Sequence, residues 1–187
     1  MVSAWPEPVE RVSSYLREAG AEARIEEFDE GARTAEAAAA AVGCELAQIV
    51  KSLVLVCDGK AVVALVPGDR RGDPAKVARA TGADVARVAS PEEVERATGF
   101  VPGAVGPFAL ARVETVILDR TLLRHPQVWV GGGSPNHLIG VAPHELVRLA
   151  RARPMDVVQD DPYHSAADFP DGSGRDPGAD PAEPKER

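Results

Sequence analysis

Two apolar runs around one turn constrain this chain more than anything else in it. Ile49 to Val56 is almost wholly apolar, Asp58-Gly59 follows, and Ala61 to Val66 is apolar again. Asp-Gly between two β-rich runs specifies a tight antiparallel hairpin, because both turn positions favour residues that tolerate a left-handed backbone. A purely parallel, doubly wound sheet cannot contain such a hairpin. Around it helices and strands alternate irregularly. The fold class expected is therefore mixed α/β (α+β), with a curved, largely antiparallel or barrel-like sheet and flanking helices.

The flanking elements follow from periodicity and caps. Val9, Val12, Tyr15, Leu16 and Ala19 recur at helical spacing, so Pro6 to Ala19 is a helix that Gly20 stops. Ala23 to Phe28 alternates as a strand. Thr34 caps a helix over 35–42, and Gly43 ends it. Asp73 caps a helix over 74–81 before Gly82. After a short strand at 85–89, Ser90-Pro91-Glu92-Glu93 is a capping box that opens a helix ending at Gly99. Phe100 to Phe108 is a Gly/Pro loop. Strands follow at 114–118 and 127–131, then a triple-glycine loop, a strand at 138–141, a helix at 143–151 and an edge strand at 154–158. Asp119 ends its strand, where it can cap the turn before Leu122.

Composition narrows the partners. The chain has 187 residues and a net charge of −8, which excludes a generally basic, nucleic-acid-coating protein. Any RNA contact must come from a local patch of Lys and Arg. No apolar run approaches the ~20 residues of a membrane helix, and Met1 to Glu7 lacks the basic and apolar regions of a signal peptide. The cytoplasm is the default location, and neither DNA nor a membrane is an expected partner. Cys44 and Cys57 make neither a disulfide framework nor a zinc site; small core residues are the expectation for both. From Asp160 onward, eight acids face three bases among Pro, Gly and Ser. Residues 1–158 are expected to form one folded domain, and 159–187 a disordered acidic tail.

No phosphate-binding P-loop, nucleophile elbow or zinc-protease helix is present. His125, His137, His144 and His164 lack metal-ligand spacing, so no metal or cofactor is expected. Lys51 shares a strand face with Ile49, Leu53 and Leu55 by the two-residue period. A lysine on an apolar face either snorkels to water or holds a phosphate or carbonyl. Gly103-Ala104-Val105-Gly106-Pro107 lets backbone approach a ligand, and its N–H groups could hold an oxyanion. Taken alone, it reads more readily as a structural turn between helix and strand. Gly131-Gly132-Gly133 could cradle a ribose or phosphate, with Ser134, Asn136 and His137 beside it as neutral donors and acceptors.

Four windows in order resemble the bacterial aminoacyl-tRNA editing domains, the YbaK-like family. That family includes cysteinyl-tRNA(Pro) deacylases, free-standing alanyl-tRNA(Pro) editing proteins and the inserted editing domain of prolyl-tRNA synthetase. The windows are Arg33 to Ala38 with Val42-Gly43; Gln48 to Val54; Glu92 to Phe100 with Gly103-x-x-x-Pro107-Phe108; and Val116 to Asp119 with Leu122. The resemblance implies hydrolysis of the ester between a wrong, small amino acid and the tRNA 3′-terminal adenosine, with no obligate covalent nucleophile. It implies catalytic roles for Lys51, Gly103 and Pro107. Substrate contacts are expected from Phe28, Thr34, Ser52, Gly106 and Phe108, and, from the triple-glycine loop read on its own residues, from Gly133, Ser134 and His137. The tRNA acceptor end is the implied partner, reached through Lys51, Arg33, Arg70 and Arg71, with tRNA(Pro) or a related tRNA as substrate and a synthetase as a further partner. The window Gly131 to Leu138 departs from the small polar and acidic pattern of some cysteinyl deacylases. Two other readings stand beside the deacylase: a non-catalytic module binding aminoacyl or nucleotide ends, and a small-molecule esterase.

Overall fold

The computed structural model describes residues 5–21, 23–28 and 34–160. Its centre is the hairpin. Strand β2 (Val50–Cys57) pairs antiparallel with β3 (Lys60–Pro67), in register from Val50 opposite Pro67 to Cys57 opposite Lys60. Asp58 (φ 46°) and Gly59 (φ 81°) both take the left-handed conformation that a tight hairpin requires. The Asp58 carboxylate also accepts from the N–H groups of Asp84 and Val85. It thereby ties the turn to β4 (Ala86–Val88), which pairs along the other edge of β2.

Two parallel strands complete that sheet. β5 (Thr115–Asp119) lies beside β3, and β8 (Arg153–Met155) beside β5. The order is β4-β2-β3-β5-β8. A second, antiparallel sheet holds β1 (Arg24–Glu27), β7 (His137–Val141) and β6 (Val128–Gly131), in the order β1-β7-β6. A bridge between Ile49 and Trp129 brings the sheets together at the start of the hairpin. The result is the mixed α/β class with a mixed sheet, as the hairpin argument requires.

Helices α1 (Glu7–Glu18), α2 (Ala35–Val42), α3 (Pro74–Thr81), α4 (Pro91–Thr98) and α5 (Pro143–Ala150) flank the sheets. Their ends follow the sequence. Thr34, Asp73 and Ser90 accept from the first-turn amides, and Ser90 with Glu93 closes a capping box. Glu93 also receives Arg87, which with the Ser90 amide pulls its carboxyl down to about 2.

The hairpin is buried on both faces, which is why it reads as unbroken apolar runs rather than as an alternation. On one face Val50 and Val54 join Val63, Leu65, Val116, Leu118, Phe100 and Phe108 beside Val12 and Leu146. On the other, Leu55 and Cys57 join Val62, Ala64, Val66, Val77 and Ile117. Ile49 does not share the Lys51 face as expected. It precedes β2 and packs with Ala38, Ala39 and Leu138, against Phe28 and Trp129. The expected 154–158 edge strand is shorter. Only 153–155 pairs with β5, and the chain then turns to lay Val157 to Gln159 along residues 71–73. Asp119 is buried and caps its turn, accepting from Thr121 and from the Val157 amide. Cys57 is buried, and Cys44 is half-buried. The acidic segment from residue 161 and Arg33 lie outside the described residues.

Candidate active site

The sequence-chosen residues fall into two groups. The first surrounds Lys51. Its ammonium donates to the carbonyls of Gly68, at 3.0 Å, and of Arg70. Both belong to the loop between β3 and α3. Burial lowers its pKa below the ordinary lysine value, against the pull of Asp69 and Glu36 and with a smaller push from Arg71. Lys51 therefore does not snorkel to open water: it fastens a loop that carries Arg70 and Arg71. Thr34 belongs to the same neighbourhood, since α2 starts against this loop. A Cβ on Gly68 would stand 3.3 Å from the Ala35 Cβ and 2.4 Å from the Leu46 carbonyl oxygen. Two of the three ammonium donors are occupied by these carbonyls, which leaves one for a ligand.

The second group is built from backbone. Ala104 to Phe108 are buried, while Gly103 is exposed. The loop rests on β6: a Cβ on Gly106 would meet the Gly131 carbonyl oxygen at 2.7 Å, and one on Gly131 would meet the Val105 oxygen at 3.0 Å. Among the described residues the amides of Gly103, Val105, Gly106 and Phe108 donate to no protein acceptor, whereas Ala104 donates to Val101. The loop is thus largely buried, yet it keeps a set of uncommitted donors. A cavity of about 500 Å³ borders it, lined by Tyr15, Pro107, Phe108, Leu110, Val113 and Arg151 among others.

Gly132 and Gly133 continue this wall. Gly133 has φ +99°, and a Cβ there would stand 2.7 Å from the Pro8 carbonyl oxygen. His137 follows at 2% exposure. Its Nδ1 lies 2.6 Å from the Ser134 hydroxyl, and its Nε2 is buried without a partner. Burial pushes the imidazole below its ordinary pKa against the pull of Glu27, so the ring is neutral at neutral pH. Ser134, His137 and Glu27 lie in the sequence of a nucleophile–base–acid relay, but the geometry is that of a turn. The Ser134 hydroxyl accepts from the Asn136 amide, and Glu27 is 3.9 Å from Nε2, beyond hydrogen-bond range. Phe28 adjoins this group through its amide on the Asn136 carbonyl.

Ser52 belongs to neither group directly. It points to the opposite face of β2 from Lys51, and its hydroxyl is buried without a partner. No hydrogen bond or ion pair among the described residues joins Lys51 to 103–107. The third apolar cluster, with Phe28, Ala35, Ile49 and Leu138, lies between the two groups. Sequence reasoning missed Trp5, whose ring meets His137 edge-on with centroids 6.0 Å apart. It also missed Arg11, which donates to the Gly99 carbonyl at 2.7 Å. Arg11 falls on the helical spacing of Pro8 and Tyr15, so extending that stripe past its apolar members would have found it, whereas Trp5 precedes the helix and no periodicity marks it. Among the described residues no cluster of three His, Cys, Asp or Glu could hold a metal, and no helix is long and apolar enough to cross a membrane.

Comparison with known proteins gives this arrangement a family. Residues 29–149 match the family described as the aminoacyl-tRNA editing domain. The chain is 35% identical over 151 residues to YwhH of Bacillus subtilis, covering 80% of this chain and 96% of that protein. It is 39% identical over 104 residues to a proline–tRNA ligase of Nitratidesulfovibrio vulgaris, and there it spans only 18% of the ligase. A solved structure described as a candidate trans-editing enzyme for prolyl-tRNA synthetase superposes with a TM-score of 0.79 at 38% identity. That match covers 84% of this chain and 100% of the other. Lysine strand, glycine–proline loop and matched span coincide, and the chain belongs to the aminoacyl-tRNA editing domain family.

Proposed function

We propose that the protein is a trans-acting aminoacyl-tRNA deacylase. It hydrolyses the ester joining a small, wrong amino acid to the 3′-terminal ribose of tRNA(Pro) or a related tRNA, in the cytoplasm and alongside a synthetase. The observation that carries the proposal is the family match over 29–149, together with coverage of nearly the whole length of free-standing relatives.

The chemistry suits a site of backbone donors. An aminoacyl ester is already activated, so positioning and stabilisation of the developing oxyanion suffice. Water adds to the carbonyl carbon, the carbon–oxygen bond to the ribose breaks, and the departing ribose oxygen takes a proton. In this reading the uncommitted amides of the Gly103–Phe108 loop face the carbonyl oxygen, and Pro107 fixes the loop. Lys51 orients the acceptor end with Arg70 and Arg71 beside it. Phe28, Thr34, Ser52, Gly106, Phe108, Gly133, Ser134 and His137 bound the aminoacyl-adenosine. A neutral His137 with a spare Nε2 offers a hydrogen bond without adding charge. A synthetase pocket gains only ~1–3 kcal/mol per methylene, so small amino acids pass its first selection and need a second, hydrolytic one.

A deacylation panel tests the proposal. Purified protein is offered tRNAs charged with Ala, Ser, Thr, Cys and Pro, with Lys51→Ala and Ser134→Ala in parallel. Release of one or two small amino acids, lost in Lys51→Ala and slowed but not abolished in Ser134→Ala, supports the deacylase. Loss in Ser134→Ala turns the reading to a covalent serine mechanism. Binding of charged tRNA with no release of any amino acid turns it to a non-catalytic module.

A further inference from the structure

We propose that helix α1 is the positioning platform of the glycine-loop site, and that Arg11 is its key positioning residue. This rests on the reading above, in which residues 103–108 face the reacting ester.

The observation is one stripe of one helix. Pro8, Arg11, Val12 and Tyr15 follow the three- and four-residue spacing that places side chains on a single helical face. Each meets a different point of the two glycine loops. The Pro8 carbonyl lies against Gly133, so closely that a Cβ there would approach it to 2.7 Å. Arg11 donates to the Gly99 carbonyl at 2.7 Å, and its guanidinium lies 4.5 Å from the Phe100 ring centroid. The Val12 Cγ2 is 3.8 Å from where a Cβ on Gly106 would stand. Tyr15 stacks on Phe108, with centroids 6.0 Å apart and planes 18° apart, while its hydroxyl is pinned to the Leu149 carbonyl. Just before the helix, Trp5 reaches His137. The whole stripe precedes the family-matched span of 29–149.

The loop needs such a support. Its amides at 103, 105, 106 and 108 make no protein hydrogen bonds among the described residues, so bonding within the loop does not fix where they point. Donors that stabilise an oxyanion must be held to within about 0.5 Å. Packing against α1 and β6 supplies that restraint. Arg11 acts where the loop begins. Its planar guanidinium binds a carbonyl in its plane and stacks on a ring through its face, a combination that an ammonium cannot reproduce. Its other neighbour, Glu7, sits 3.5 Å away at an exposed position, where an ion pair adds little to holding the guanidinium.

The test pairs kinetics with amide exchange on the free protein. Arg11→Ala is expected to lower kcat by about tenfold to a hundredfold, with KM within about twofold of wild type. Arg11→Lys should be intermediate, and Glu7→Gln should match wild type. In the absence of substrate, Arg11→Ala should raise hydrogen exchange at the two hydrogen-bonded amides where the loop begins, Phe100 and Ala104, and leave the β2–β3 hairpin protected. Unchanged exchange at Phe100 and Ala104 overturns the proposal, as does a general rise that includes the hairpin. Local loosening with an unchanged kcat overturns it too. Should wild type release no amino acid from any tRNA, the functional reading fails. Exchange then decides alone: a local rise at Phe100 and Ala104 supports the platform, and its absence refutes it.

Discussion

Gly106→Ala isolates the contribution of the glycine–proline loop. Gly106 is buried and its φ is not in the left-handed region, so alanine brings no backbone strain. The added methyl would stand 2.7 Å from the Gly131 carbonyl oxygen, about 0.7 Å short of ordinary contact at 3.4 Å. That oxygen belongs to β6, which is fixed by pairing to β7, so the loop must yield instead of the strand. Overpacking of this kind costs about 1–3 kcal/mol. A domain with about 5–15 kcal/mol of stability stays folded through such a loss. A misplacement approaching 1 Å in a reacting site costs up to about a hundredfold in rate, so single-turnover deacylation should fall by about tenfold to a hundredfold. Gly82→Ala supplies the control. Gly82 has φ +73° with open space around it, at the end of α3, and there alanine costs about 1–2 kcal/mol of backbone strain alone. Both variants should lower the urea midpoint, and only Gly106→Ala should lose the rate. A Gly106→Ala protein that hydrolyses at the wild-type rate, or loses no more than Gly82→Ala, refutes the placement of this loop at the reacting centre.

Three further outcomes follow from the same geometry. Lys51→Met removes charge-assisted bonds to the Gly68 and Arg70 carbonyls; it should cost about 1–3 kcal/mol in urea unfolding as well as deacylation, and an unchanged midpoint would contradict the fastening role. His137 is held below its ordinary value of 6.5 by burial, so between that lowered value and 6.5 the unfolded chain binds more protons than the folded one. Stability should therefore fall as pH drops through this window, and His137→Gln should flatten the fall measured between about pH 8 and pH 5. Acceptor-end binding through Lys51, Arg70 and Arg71 predicts a log–log salt slope near −2, from about −0.7 per phosphate on single strands; Arg71→Ala should make it shallower by about 0.7, and a flat slope in wild type would refute the patch.

What was legible in the sequence was local. Asp58-Gly59 between apolar runs and Ser90-Pro91 with Glu93 each place donor and acceptor within a few residues, and both motifs form as read. The site was legible only in parts. Lys51 and Ser52 are adjacent, and a period of two sends them to opposite faces of β2, so they never shared a surface. The partners of Lys51 lie 17 and 19 residues away, in a loop whose course depends on how β3 leaves the sheet. Arg11 and Gly99 are 88 residues apart, and a basic residue inside an apolar stripe carries no local sign of its acceptor. Asp119 was readable as a cap, since Thr121 is two residues on. Its bond to Val157 was not, because that amide lies 38 residues on, where the C-terminal run crosses from the end of β5 to residues 71–73.

The acidic balance of the chain also finds a physical place here. A net charge of −8 would oppose a large cationic RNA surface, but the reacting centre of backbone amides proposed above needs none. Amides stabilise negative charge as it develops and carry no net charge at rest, so they add nothing to long-range attraction for RNA. The cations that remain useful are few and local: Lys51, tied down by two carbonyls, with Arg70 and Arg71 on the loop it holds. Selectivity in such a site is set by shape. Gly106 against Gly131, and Gly133 against Pro8, leave no space for a Cβ, so the backbone itself forms the wall beside the amides. On the proposed function, recognition of the tRNA end falls to the Lys51 loop and placement of the ester to the glycine loop that α1 supports.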